Sequence, residues 1–203
     1  EGTVAGISAR LFRISYTGEL SFEINVPRRH GLALWKAVMT TGEKYNICPY
    51  GTEAMHVLRA EKGFIIVGQD TDGTVTPGDL CMDWIVSKTK ADFVGKRALA
   101  RRDIVKEARK RMVGLLTEDP NEVLPEGAQI VEKLLPKPPM EMIGHVTSSY
   151  YSPNCGRSIG MALIRGGPKR MGETLSVPLP GKTVKVLVTE PRFFDLDGER
   201  ANG

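Results

Sequence analysis

Two side chains near the start of the chain, Tyr16 and Glu23, combine an aromatic ring with a carboxylate. A carboxylate accepts hydrogen bonds from N–H donors, and an aromatic ring can cover a flat face. Glu23 lies between Phe22 and Ile24 in a β-rich run, where an unpaired buried charge would be costly and Glu is a poor strand residue. Glu23 therefore either faces water or has a partner, and spacing alone favours an exposed Glu on the solvent side of a sheet.

The element that must position both residues is a β-hairpin, which we predict over residues 10–27 with residues 17–20 as its loop. In that register Ile14 lies opposite Glu23, and Tyr16 and Glu23 share one side of the ribbon. The other side of the ribbon carries three apolar residues, Phe22, Ile24 and Val26.

The remaining potential ligands lack the spacing of a metal site. Asp70 and Asp72 alternate before Gly73, as at the start of a calcium loop, but no Glu follows at the twelfth position. The three cysteines form no C-x-x-C motif and no Cys/His spacing: Cys48, Cys81 and Cys155. We therefore expect reduced thiols, no disulfide framework and no bound metal.

Three other polar residues have ordinary structural interpretations. His145 lies beside a predicted strand with no nucleophile near it, which favours a structural role over a catalytic one. Arg59 and Glu61 come at the end of a predicted helix, and we interpret them as surface or cap-adjacent charges.

The composition is that of an ordinary globular protein, with 41% hydrophobic and 26% charged residues. The apolar runs are too short to span a bilayer and no leader opens the sequence, so no membrane contact and a cytoplasmic location are expected. The chain begins without Met directly before a strand, which we interpret as a piece cut from a longer polypeptide.

The net charge of +4 is unevenly distributed, because residues 96–111 include eight basic residues. We predict a solvated helix over 96–111 that links two domains, in preference to a patch for nucleic acid or for an acidic partner. No aromatic residues alternate with these charges, as a surface for single-stranded nucleic acid would require.

The predicted fold class is α+β followed by all-β, in two domains. Residues 1–109 form a sheet centred on the hairpin and packed by helices over 28–42 and 52–62. Residues 110–203 form a small six-stranded β-barrel, with turn signals between strands over 112–116, 129–133, 143–148, 159–164, 174–177 and 183–189.

The hairpin sequence YTGELSFEI resembles the Y-T-G-E-x-x-F-E-I motif of the glycine-cleavage T-protein (aminomethyltransferase) family, whose members bind tetrahydrofolate. The resemblance implies that Tyr16 and Glu23 contact the pterin ring. Residues 58–63, LRAEKG, are similar to the family's L-R-x-E-x-G segment. Met55 departs from the pattern, because many T-proteins have there an Arg that helps to hold folate.

Several further segments resemble the alpha subunits of heterotetrameric sarcosine oxidases: DTDGTVTPGD, WIVSKTK, DFVGKRAL and the terminal FFDLDGERANG. The resemblance covers essentially the whole chain. It implies oxidation of sarcosine at a flavin, transfer of the one-carbon unit to tetrahydrofolate, and partnership with other subunits of a hetero-oligomer. The family's key catalytic Asp lies before its hairpin, so no catalytic residue is expected here, and flavins and NAD are expected to bind outside this chain.

Two alternatives stay open. One is a T-protein-like binding or assembly domain without transfer chemistry, similar to iron–sulfur assembly relatives with a K-G-C-Y-x-G-Q-E box. Phe64 replaces the Cys of that box, which counts against this alternative because the thiol is its chemical centre. The other is a stand-alone aminomethyltransferase.

Overall fold

The computed structural model describes residues 1–203, which form two compact units. The first unit consists of residues 1–58 and 197–203, and the second of residues 59–196. The predicted domain boundary at residue 109 stays a prediction. None of the helices combines the length and the apolar character needed to cross a membrane.

The first unit contains an antiparallel sheet of three strands in the order β1-β2-β3, namely β1 (Gly2–Val4), β2 (Ile7–Arg13) and β3 (Phe22–Asn25). The sheet leaves most of its residues exposed, and Ala9 and Leu34 are the buried hydrophobic residues of this unit. Apolar side chains of the β2–β3 ribbon, such as Phe12 and Phe22, are about half exposed.

The predicted hairpin exists, but its predicted register is wrong. Phe12, not Ile14, pairs with Glu23, and the ladder ends where Arg13 pairs with Phe22. The Ser15 hydroxyl accepts a 2.9 Å hydrogen bond from the backbone N–H of Gly18, so the chain turns before the strands can extend further. The connection is therefore longer than the four residues that were predicted.

Two predicted helices are present in this part of the chain. A 3₁₀ turn over Arg28–His30 leads into α1 (Gly31–Gly42), and α2 spans Thr52–Glu61. Pro27 directly precedes the 3₁₀ turn, where its missing N–H costs nothing. Because α2 crosses the division at residue 58, it belongs to both units.

The second unit is built on a closed antiparallel barrel, as predicted. Its six strands are β4 (Lys110–Thr117), β5 (Gln129–Val131), β6 (Met142–Ser152), β7 (Arg157–Arg165), β8 (Thr174–Leu179) and β9 (Lys182–Thr189). They follow the order β4-β7-β6-β5-β8-β9, and a core of buried aliphatic residues such as Val113, Ile130 and Val186 fills the interior.

A second apolar cluster lies on one outer side of the barrel. Met112, Ile159, Met161 and Leu163 are buried there together with Ala60 of α2. Side chains from the long segment after α2, including Ile65, Val75 and Leu80, pack against them. The cluster holds the end of α2 and residues 62–80 against the barrel, so β7 is buried on both of its faces.

The predicted long helix over 96–111 is wrong beyond its first turn. Helix α3 spans Lys96–Leu99, turns follow it, and β4 begins at Lys110. Most of the stability of a helix comes from packing an apolar face, and Val105 is exposed while Ala98 and Leu99 are only partly buried. Arg97 and Arg101 would also repel each other at a spacing of four residues.

Candidate functional site

The two predicted site residues lie at different places in the hairpin. Glu23 is an exposed residue of β3, whereas Tyr16 belongs to the connection beyond the end of the ladder. The Glu23 carboxylate makes no hydrogen bond or ion pair within the chain. It is therefore an exposed acceptor, in a residue that pairs with Phe12 in the ladder.

The other family-like segment, residues 58–63, is positioned by the end of α2. The helix stops at Glu61, and Gly63 adopts a left-handed conformation at φ 72°. A side chain at Gly63 would collide with the backbone carbonyl of Pro191, so only glycine fits there. This termination directs Arg59, Glu61 and Lys62 toward different partners in the second unit.

Arg59 is fully buried and forms an ion pair with Asp70, at 2.6 Å between Nη1 and Oδ2. Its Nη2 donates to the Ser148 hydroxyl on β6 at 2.6 Å, and Nη1 also donates to the Phe64 carbonyl. The guanidinium lies over the ring of Tyr150, 5.6 Å from its centroid. Within the second unit, this geometry ties the last turn of α2 to the outer side of the barrel.

Asp70 completes the same buried network. Its Oδ1 accepts from the Ser148 hydroxyl at 2.7 Å, and its Oδ2 accepts from the backbone N–H of Ile66 at 2.8 Å. Gln69 extends the network, donating to the hydroxyls of Ser148 and Tyr150. Each carboxylate oxygen of Asp70 is therefore satisfied by a protein donor, which is what a buried charge requires.

Glu61 and Lys62 make the next two connections. Ser152 donates its hydroxyl to Glu61 Oε1 at 2.5 Å, and Asn154 donates to Oε2 at 2.9 Å. The Lys62 ammonium pairs with Asp195 at 2.6 Å. Each of these charged side chains has a structural partner. They therefore hold the end of α2 against the barrel, and none of them is free to act as a catalytic group.

The interpretation of Arg59 and Glu61 as surface or cap-adjacent charges is therefore wrong. Both are buried, with 0% and 2% of their surfaces exposed. Two features of the sequence could have indicated this burial. Arg59 and Glu61 flank Ala60, which lies on the apolar side of α2, and an Asp follows in the next loop. The sequence around Asp70 has a weak likeness to a calcium loop, but Asp70 neutralises Arg59.

A third buried carboxylate lies after this network, in the 3₁₀ turn Pro77–Leu80. Asp79 receives two hydrogen bonds from Arg109, and Thr76 donates its backbone N–H and its hydroxyl to it. Burial alone would raise the pKa of Asp79, but the bonds from Arg109 and Thr76 outweigh it and hold that pKa below its usual value. Asp79 is thus a charged structural residue.

His145 and Cys81 show no catalytic arrangement. Burial in β6 and the charge of Lys110 lower the pKa of His145, opposed by Asp72, so the imidazole stays neutral near pH 7. Burial raises the pKa of the Cys81 thiol, which disfavours the reactive thiolate. No group of three His, Cys, Asp or Glu side chains is arranged to hold a metal ion.

Two family models match the chain consecutively. The GCVT N-terminal domain matches residues 1–90, and the glycine cleavage T-protein C-terminal barrel domain matches residues 110–195. This chain belongs to the glycine cleavage T-protein family. The closed six-stranded barrel is the C-terminal barrel of that family, and the exposed ribbon with Tyr16 and Glu23 lies in the part that matches the N-terminal domain.

Similar proteins of this family include sarcosine oxidase subunits. The chain is 53% identical over 203 residues to sarcosine oxidase subunit alpha from Corynebacterium sp. (strain P-1), covering 98% of this chain and 21% of that protein. It is 38% identical to the Rhizobium meliloti (strain 1021) subunit alpha over 192 residues, covering 94% and 19%. The chain therefore spans about a fifth of the length of these relatives.

A solved structure shows the same fold. Glycine cleavage system aminomethyltransferase T from Bartonella henselae superposes with a TM-score of 0.76 and 27% identity, over 91% of this chain and 51% of that chain. The predicted fold class, α+β followed by a β-barrel, is thereby confirmed.

Proposed function

We propose that this chain is the C-terminal portion of a sarcosine oxidase alpha subunit and carries part of its tetrahydrofolate site. The observation that carries the proposal is the 53% identity over 98% of the chain, well above the 27% identity to the aminomethyltransferase structure. In the complete enzyme, sarcosine is oxidatively demethylated to glycine and the one-carbon unit is transferred to tetrahydrofolate. Flavins and NAD bind outside this chain.

Glu23 and Tyr16 are the residues of this chain that we assign to folate recognition. Tetrahydrofolate supplies the nitrogens that accept the one-carbon unit. The exposed Glu23 carboxylate has no competing ion pair, so it is suited to accept hydrogen bonds from the N–H edge of a pterin. Tyr16, in the connection that precedes β3, packs or hydrogen-bonds beside that edge.

Met55 makes the proposed site differ from that of many T-proteins. It lies in α2 and is partly buried. A thioether cannot form the charge-assisted bonds of the Arg that the family resemblance implies at this position. We therefore expect that folate is held more weakly at that point than in aminomethyltransferases, and that Glu23 carries more of the recognition.

The test uses the complete oxidase with Glu23→Gln, which keeps the side-chain shape and replaces half of the acceptor edge with a donor. We expect folate binding to weaken by about 1.5–3 kcal/mol, the contribution of a hydrogen bond to a charged group. Sarcosine oxidation should survive, while product shifts from methylenetetrahydrofolate to free formaldehyde. Folate titration and quantification of both products measure these effects.

Glu43→Gln is the matched control, because Glu43 is another exposed glutamate of the first unit. It should leave both folate binding and the product ratio unchanged. If Glu23→Gln also leaves both unchanged, the assignment of Glu23 is wrong. If the unmodified oxidase neither binds folate nor changes its products when folate is added, the chain is instead a noncatalytic binding or assembly domain.

A further inference from the structure

The segment 197–203 belongs to the first unit, together with residues 1–58. It contains a 3₁₀ turn over Glu199–Ala201. The carbonyls at the end of a short helical turn have no partner within that turn, so they accept hydrogen bonds from other groups. In this segment the carbonyls of Arg200 and of the two residues after it accept such bonds from the β2–β3 ribbon.

The last residue of β2, Arg13, makes the first of these contacts. Its Nη2 atom donates to the carbonyls of Ala201 and Asn202, at 3.2 and 3.4 Å. Arg13 also forms the last pair of the β2–β3 ladder, with Phe22. The segment 197–203 therefore contacts the ribbon where the connection between its two strands begins.

The far end of that connection contacts the same segment. The backbone N–H of Leu20 donates to the carbonyl of Arg200 at 2.9 Å, and the Arg200 guanidinium pairs with the Glu19 carboxylate at 3.3 Å. The chain at Gly203 passes close to the Leu20 side chain, since a Cβ there would lie 3.0 Å from Leu20 Cδ2. One short segment thus holds both ends of the connection.

Tyr16 lies midway between these two contacts, three residues after Arg13 and three before Glu19. Inside the connection, the backbone N–H of Gly18 donates to the Ser15 hydroxyl at 2.9 Å. Tyr16 is 39% exposed, so part of its side chain is open to a ligand. The backbone is therefore held on both sides of an accessible aromatic residue.

Holding this connection in place before a ligand arrives would affect affinity. Ordering a flexible segment costs conformational entropy, and a ligand that must order its own site binds more weakly by that cost. The contacts of the segment 197–203 restrict the connection over residues 14–21 in the free protein. A ligand of Tyr16 then meets a residue whose backbone is already placed.

We infer that the segment 197–203 positions Tyr16 for the pterin ring by holding both ends of the connection that carries it. The inference rests on the proposed function, because it requires folate at Tyr16. Arg13 is a positioning residue and not a ligand of folate. It pairs with Phe22, one step along the ladder from Glu23, so its side chain lies on the opposite side of the ribbon from Glu23.

The first experiment titrates tetrahydrofolate into the complete oxidase carrying Arg13→Ala, Tyr16→Ala or both. We expect Arg13→Ala alone to weaken folate binding about fivefold, within the range found for coupled neighbours. In the Tyr16→Ala background it should have no further effect, and sarcosine oxidation should be unchanged throughout. Equal weakening in both backgrounds would overturn the inference, because Arg13 would then act independently of Tyr16.

Two further variants serve as rescue and control. Arg13→Lys keeps a cation that can donate to one of the two carbonyls, so it should bind folate more tightly than Arg13→Ala. Arg28→Ala removes an exposed arginine of the same unit, in the 3₁₀ turn before α1, and should leave folate affinity unchanged. A loss in Arg28→Ala equal to that in Arg13→Ala would overturn the inference.

The second experiment exchanges the charges of the pair formed by Glu19 and Arg200. Arg200→Glu places two carboxylates together, and we expect folate binding to weaken about twofold to fivefold, because the pair is exposed. Combining Arg200→Glu with Glu19→Arg restores an ion pair and should recover the affinity. A loss that the exchange does not recover would overturn the inference.

The outcomes separate this inference from the proposed function. If Glu23→Gln weakens folate binding and Arg13→Ala does not, the inference alone is overturned. If Arg13→Ala lowers the stability to urea but leaves folate affinity unchanged, Arg13 is a structural residue and the inference is again overturned. If the unmodified oxidase does not bind folate, the inference and the proposed folate site both fail.

Discussion

The β2–β3 ribbon and the barrel are both antiparallel sheets, but similar residues are exposed in the ribbon and buried in the barrel. Leu11 in β2 is 53% exposed, whereas Leu115 in β4 is fully buried. The barrel closes on itself, so all of its strands have neighbours and a common interior. The ribbon belongs to a three-stranded sheet with two buried hydrophobic residues in its unit, which leaves its apolar side chains without a core.

The two regions also differ in the burial and the hydrogen bonding of their carboxylates. In the second unit the carboxylates of Glu61, Asp70 and Asp79 are buried and saturated with donors. In the first unit Glu23 is exposed and has no partner in the chain. Burying a charge requires committed partners, so saturation indicates a structural role, and an exposed carboxylate stays available for a ligand.

The largest expected effect is on the buried pair of Arg59 and Asp70. Arg59→Ala leaves the Asp70 carboxylate buried without its cation, so we expect the free energy of unfolding of the second unit to fall by about 3–5 kcal/mol. Urea denaturation of the 203-residue chain, followed by circular dichroism, measures the change. Arg192→Ala, at an exposed arginine of the same unit, should change the stability by less than about 0.5 kcal/mol.

The double variant Arg59→Met with Asp70→Asn sharpens this prediction. It removes both charges, and we expect it to recover part of the stability lost in Arg59→Ala. If Arg59→Ala and Arg192→Ala lower the free energy of unfolding equally, the buried network of Arg59 does not stabilise the second unit. The two units would then not differ in how their charged side chains contribute to stability.

The barrel could be predicted from the sequence because its signals are local. Short β-branched runs separated by Gly and Pro turns at Gly127, Gly156 and Gly181 predict the six strands with small errors at their ends. The two helices of the first part follow from local apolar spacing in the same way. The prediction of a long basic helix over 96–111 was wrong because apolar spacing does not guarantee a surface against which the apolar face of a helix can pack.

The hairpin register and the burial of Arg59 could not be predicted from the sequence, because both depend on contacts between residues that are distant in sequence. The hairpin register is set by the turn at Ser15 and Gly18 and by the bond from Leu20 N to the carbonyl of Arg200. The burial of Arg59 depends on Ser148, which is brought to it by the barrel. The assignment of Tyr16 and Glu23 rests on a family motif, since an exposed Glu on a ribbon has no local feature that identifies a ligand.

The next largest effect concerns acid stability. The folded-state pKa of Asp79 is lowered, so its contribution to stability is fully present above the usual value of about 3.9 and is lost as pH falls through the folded value. Arg109→Gln removes the main donor that lowers this pKa. We expect a loss of about 1.5–3 kcal/mol at pH 7 and a smaller further loss between pH 5 and pH 2 than in the unmodified chain.

Lys106→Gln is the control for the acid experiment. Lys106 lowers the pKa of Asp103 through a hydrogen bond, but that pair is exposed, and water and salt screen it. Its removal should leave the pH dependence of unfolding, measured by urea titration at each pH, almost unchanged. An acid profile of Arg109→Gln that coincides with the unmodified profile would show that Asp79 is not the group responsible.

The smallest expected effect comes from the ribbon. Leu11→Ala removes an apolar side chain that is half exposed and has few atoms packed around it, so we expect the free energy of unfolding to change by less than about 0.5 kcal/mol. Leu115→Ala is the matched comparison, because it removes the same atoms from a strand inside the barrel, and it should cost about 2–5 kcal/mol. Urea denaturation measures both, with the two units followed separately by the fluorescence of Trp35 and Trp84 in single-tryptophan variants.

A cost for Leu11→Ala that approaches that of Leu115→Ala would mean that the ribbon is packed in solution as tightly as the barrel. Leu11 pairs with Ile24, on the side of the ribbon opposite Glu23, so such a result would place a packed layer behind the ribbon and leave the side that carries Glu23 open to the ligand proposed above.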